Sequence, residues 1–116
     1  MNVEIFEKIS TALGEGKGFR IKEALSSLNP TEASNLIIRF NEQEICFILS
    51  SLDSSVSAEI ILELPEDVRT KTLKELDNKS ILSVLEGLES DDATDLISDL
   101  DDEKSKEILE NMNPRD

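Results

Sequence analysis

Large apolar residues recur every twelve positions along most of this chain: Leu28, Phe40, Leu52, Leu64, Leu76, Leu88, Leu100 and Met112. A fixed period means that one structural unit is repeated, and it constrains the fold more than any local motif does. The residue after each anchor makes a turn or starts a helix. Asn29, Asn41, Asp53, Asp77, Glu89, Asp101 and Asn113 are mostly good helix caps, and Pro65 suits a first helical turn. Each unit therefore restarts a helix.

Within a unit, apolar side chains stand five, eight, nine and twelve residues past the anchor. Ala33, Leu36, Ile37 and Phe40 do so, then Ile45, Ile48, Leu49 and Leu52, then Ile81, Val84, Leu85 and Leu88. This is the stripe of an amphipathic helix. Ala93, Leu96, Ile97 and Leu100 keep it, followed by Ile108, Leu109 and Met112. The middle units are looser: Ser57 and Arg69 hold the fifth position, and Val56 and Val68, one residue earlier, are expected to supply the apolar contact.

A helix of about nine residues is roughly 13 Å long and does not hold together alone in water. The units must stack, each burying its stripe against its neighbours. The expected fold is an all-α superhelix, α-solenoid-like, of short antiparallel helices, forming one domain over residues 1–116. Residues 1–27 supply leading helices and a Gly-rich linker, and 28–116 the repeats. In the leader, Asn2 is placed to cap a helix carrying Ile5, Phe6, Ile9 and Leu13, and a second helix is expected from about Phe19 to Leu28. Between them, Gly14 to Gly18 form a linker rather than a phosphate loop, because no apolar strand precedes them and their spacing fits no nucleotide motif.

Composition narrows the function. Twelve Lys and Arg against 26 Asp and Glu give a net charge of −14, which repels nucleic acid and anionic lipid. The chain has no His, Trp or Tyr, which removes imidazole chemistry, His-ligated zinc and most base-stacking platforms. Cys46, the single cysteine, has no partner for an internal disulfide and no His to activate it, so it reads as a packed thiol. With no secretory start and no apolar run longer than Ile45 to Leu49, a cytoplasmic setting is expected, without direct membrane insertion. Nothing suggests a pocket or a raised catalytic carboxylate, so no enzymatic activity is expected.

The acidity is concentrated. Between Lys79 and Lys104 no basic residue interrupts Glu86, Glu89, Asp91, Asp92, Asp95, Asp99, Asp101, Asp102 and Glu103. One reading is a solvated face, with Ser90 as N-cap and Asp91 and Asp92 in the first helical turn, where carboxylates favour the helix dipole. The other is divalent-cation binding: Asp91 and Asp95, four residues apart, project two hard oxygen donors from one helix face, a set that suits water-retaining Mg²⁺. An EF-hand starting at Asp99 fails because Lys104 stands where glycine is required. Glu59 and Asp95 each lie seven residues past an anchor, so they occupy equivalent points of the repeat.

Taken together, the segments Leu28 to Ala33, Ala58 to Ile61, Glu63 to Glu66 and above all Leu88 to Leu96 resemble the cytoplasmic N-terminal domain of MgtE-type magnesium transporters and channels. The resemblance covers nearly the whole chain. It implies a superhelical regulatory domain followed by paired cystathionine-β-synthase-type (CBS) domains and a membrane pore, in a parent protein expected to be a homodimer, with Mg²⁺ bound between the N-terminal and CBS domains in the closed state. It further implies Glu59, Asp91 and Asp95 as interface ligands, with Asp92 as a neighbour. Nothing in these 116 residues resembles the CBS pair or the pore, so the chain is expected not to transport magnesium itself and to share any site with a partner. The alternative is a protein-interaction scaffold, resembling the superhelical domains of flagellar motor-switch proteins, with no specific ion site.

Overall fold

The computed structural model describes residues 3–111, which form nine helices: α1 (Val3–Glu15), α2 (Gly18–Leu25), α3 (Pro30–Ile37), α4 (Glu42–Ser50), α5 (Ser54–Glu63), α6 (Glu66–Glu75), α7 (Asn78–Glu86), α8 (Ser90–Ser98) and α9 (Asp102–Asn111). Asn2, Met112 and Asn113 lie outside the described residues. The fold is all-α. From α3 onward every helix begins twelve residues after the last, so the sequence period is the period of the structure.

Local chemistry explains the restarts. Asn29 accepts from the Glu32 amide at 2.8 Å while Glu32 accepts from the Asn29 amide at 3.1 Å, and Asn41 and Glu44 repeat this reciprocal cap. Asp77 and Asp101 each accept an amide bond at 2.8 Å, from Ser80 and Lys104. Asp53 and Glu89 hold cap positions without a side-chain cap bond. Pro30 is the first residue of α3, whereas Pro65 sits one place earlier, in the cap position of α6 with extended ψ. It keeps Leu64 extended, so α5 ends there. Ser90 is the first residue of α8 rather than its cap, the cap being Glu89.

Short helices then stack with a skip: α3 on α5, α5 on α7 and α7 on α9, with α2 on α4 and α4 on α6. The body measures 45 × 24 × 24 Å. Its core holds the stripe residues Leu36, Ile37, Ile45, Ile48, Ile60, Ile61, Leu73, Ile81, Leu85, Leu96 and Ile108, all buried. Two stripe expectations are corrected. Ser57, not Val56, turns inward: its hydroxyl donates to the Leu49 carbonyl at 2.6 Å, which satisfies it in the core, and Val56 is left 40% exposed. Leu109 is exposed although it falls in register.

The leader closes one end. In α1, Ile9 and Ala12 are buried, and Phe6 stacks on Phe40 with centroids 4.7 Å apart. The helix stops at Gly16, whose φ of 69° suits glycine; there the Gly16 amide donates to Leu13 and the Lys17 amide to Ala12. A Cβ at Gly18 would lie 2.6 Å from Ser51 Oγ, so α2 approaches the end of α4 closely. The linker is thus shorter than expected: Gly14 lies within α1 and Gly18 opens α2, which leaves only Gly16 and Lys17 between the two helices. α2 ends at Leu25, three residues short of the expected limit, because the chain must turn to bring anchor Leu28 ahead of cap Asn29; Ser26 Oγ donates to Glu23 O within that turn.

Candidate metal-binding face

Glu59 is placed by its neighbours on α5. Ala58, Ile60 and Ile61 are buried, so Glu59 is the residue turned outward, and it is exposed. It stands on the wall of a groove of about 350 Å³, beside Leu25, Leu28, Val56 and Ile60. Lys22 and Asp53, paired at 3.0 Å and both largely in solvent, line the same groove.

On α8, burial of Leu96 fixes the rotation of the helix and leaves Asp91 and Asp95 exposed and Asp92 half-buried. Asp91 accepts from the Asp92 amide at 3.0 Å, an arrangement suited to carboxylates at a helix start. The carboxyl of Asp92 is held above the usual carboxylate range, first by partial loss of water and then by the charges of Asp91, Glu89 and Asp95. The cluster is therefore short of positive charge, and its hard oxygen donors fit the chemistry of a hydrated Mg²⁺ ion.

Two of the nine acids have other partners. Asp99 meets the Arg69 guanidinium at 2.6 Å, with side-chain exposures of 12% and 21%, and Asp101 caps α9. Arg69 reaches this pair from α6 and also donates to the Leu64 carbonyl at 3.4 Å. Sequence reasoning missed this pair. Its signal was the charge at a stripe position, since a largely buried guanidinium requires a carboxylate nearby. Lys104 Nζ likewise donates to the Leu76 carbonyl at 2.7 Å, at the end of α6.

Among the described residues, no three His, Cys, Asp or Glu side chains form a group able to hold a metal ion. Glu59 is accordingly not drawn into one cluster with Asp91 and Asp95. The donors stand separately, a single carboxylate on α5 and an adjacent set on α8. Cys46 is half-buried and donates to the Thr72 carbonyl at 3.6 Å. Burial, reinforced by Glu75, Glu42 and Asp77, pushes its thiol up to about 11, the opposite of a nucleophile's requirement.

No described helix is long and apolar enough to cross a membrane. No curated protein matches the chain. A family model does match, and it begins at the first anchor, Leu28, leaving α1 and α2 outside it. With residues 28–116 matched, the chain belongs to the MgtE intracellular N domain family.

Proposed function

We propose that this domain senses Mg²⁺ for a magnesium transporter, binding the ion at the acidic faces of α5 and α8 and docking onto CBS domains of the same or another chain when the ion bridges the two carboxylate sets. The observation that supports this reading is the uncompensated acidic cluster on α8, where Asp91 and Asp95 stand exposed beside Glu89 and a half-buried Asp92 whose carboxyl is held above its ordinary range by partial loss of water and then by those charges. Membership in the MgtE intracellular N domain family supports reading that cluster as more than a solvated face. In this reading Asp91 and Asp95 supply oxygens to one ion, Glu59 contributes at a second point, and Asp92 adds charge beside the first.

The coupling is thermodynamic. At low Mg²⁺ the acidic face repels an acidic partner. An ion that binds the docked form better than the free form favours docking by an amount that grows with its concentration. Because each carboxylate set is only part of a site, the free domain binds Mg²⁺ weakly and the partner completes the coordination. The domain then works at the cytoplasmic face of a homodimeric membrane protein.

Docking onto CBS domains, followed across a Mg²⁺ titration, tests this. Asp91→Lys and Asp95→Lys each weaken the Mg²⁺-dependent docking while leaving helix content unchanged. Unchanged docking in both variants overturns the assignment. Docking that sodium reproduces at matched ionic strength points instead to a scaffold without an ion site.

A further inference from the structure

Glu59 stands at a groove that the Mg²⁺ reading leaves unexplained. α2 packs on α1 and α4, while α3 packs on α5. Lys22 and Leu25 of α2, Ala33 of α3, and Val56, Glu59 and Ile60 of α5 line the space of about 350 Å³ left among these three helices. α2 lies outside the matched family region, so the leader supplies one wall. Val56, turned outward because Ser57 takes the core position, is 40% exposed there, and Ile60, one turn on, is buried.

Spacing and charge together define what fits. Val56 and Ile60 lie four residues apart and form one ridge of α5. In helix packing such a ridge is met by apolar side chains four apart on a second helix. The volume holds a pair of such side chains and is at the small end for a ligand pocket. Of the charged residues that line it, Lys22 and Asp53 pair with each other at 3.0 Å, which leaves Glu59 without a partner among the described residues. An apolar segment with a cation at the groove's edge complements this wall. An acidic segment is repelled by it and by a net charge of −14.

The geometry points to a docking site for an amphipathic helix of a partner protein, which seats two apolar side chains four residues apart between Leu25, Val56 and Ile60 and pairs a Lys or Arg with Glu59. The contact needs no ion. An ion held at Glu59 competes with that cation, so working without Mg²⁺ separates this docking from the Mg²⁺ reading.

The test is an NMR titration of the chain in EDTA and about 0.15 M NaCl, which screens the diffuse charge of the acidic half. The probe is an alanine-based peptide of about 16 residues, long enough to be helical, with two leucines four apart flanked by lysines. Amide shifts centre on Leu25, Val56, Glu59 and Ile60. Replacing both leucines with alanine weakens binding at least about tenfold, and replacing the lysines with glutamine weakens it about threefold. In Glu59→Gln that second loss disappears. Val56→Asp, at an exposed position where helix content is kept, abolishes the localised shifts. Absence of shifts at the groove, or shifts spread along the acidic half and equal for the leucine and alanine peptides, overturns the proposal, as does a lysine effect of full size in Glu59→Gln. Shifts of the same amides on dilution of the free chain overturn it too, by making a second copy the occupant.

Discussion

Replacing Asp99 with alanine leaves the Arg69 guanidinium without the carboxylate it meets at 2.6 Å. Exposed ion pairs contribute about 0–1 kcal/mol, whereas breaking a buried one costs about 3–5 kcal/mol. With exposures of 12% and 21%, this pair lies between those limits, and the cost of Asp99→Ala is about 2 kcal/mol. For a chain of this size that lowers the Tm by about 10 °C, read by circular dichroism during thermal unfolding. By contrast, Asp53→Ala, at a pair with side chains 54% and 65% exposed, shifts stability by less than about 1 kcal/mol. Adding Arg69→Met to Asp99→Ala recovers part of the loss, because Met fills the space of the arginine stem without a charge to compensate. A change below about 0.5 kcal/mol for Asp99→Ala, or no recovery in the double variant, refutes the reasoning.

Three further outcomes are expected. Asn41→Ala removes a reciprocal cap from α4 and costs about 1 kcal/mol in denaturant unfolding, with a result near zero contradicting the cap's role. Asp92, with its folded pKa raised, disfavours the folded state above that pKa and ceases to do so as pH falls through it. Asp92→Asn therefore raises stability at neutral pH and low salt, and the gain disappears in acid; a gain constant with pH shows that charge is not its cause. Finally, a thiol raised from 9.0 to about 11 carries about a hundredfold less thiolate at mildly alkaline pH, so Cys46 is alkylated about that much more slowly in the folded chain than in denaturant. Equal rates contradict its burial.

The twelve-residue period was legible because short helices cannot survive unless each buries a stripe, which leaves the register in the sequence itself. Asn29 and Asn41 could be read as caps for the same reason, since their bonds are local. Ser57 could not be read as a core residue, because what makes its burial tolerable is the Leu49 carbonyl eight residues back. Exposure of Leu109 was equally hidden, being set by how the helices stack rather than by its own register. On the candidate face, the spacing of Asp91 and Asp95 foretold their exposure on one helix. The pairing of Asp99 with Arg69 did not follow from spacing, because it joins residues thirty positions apart, one on α6 and one just past the end of α8. The separation of Glu59 from the α8 acids likewise depends on how the units wind, which no single unit encodes.

The most direct test of Mg²⁺ sensing is a residue-resolved NMR amide titration of the chain with MgCl₂ against NaCl at matched ionic strength. Weak, saturable shifts confined to the surroundings of Glu59 and of Asp91 to Asp95, absent with sodium, are the expected result. Diffuse shifts along the acidic half, reproduced equally by sodium, would contradict it.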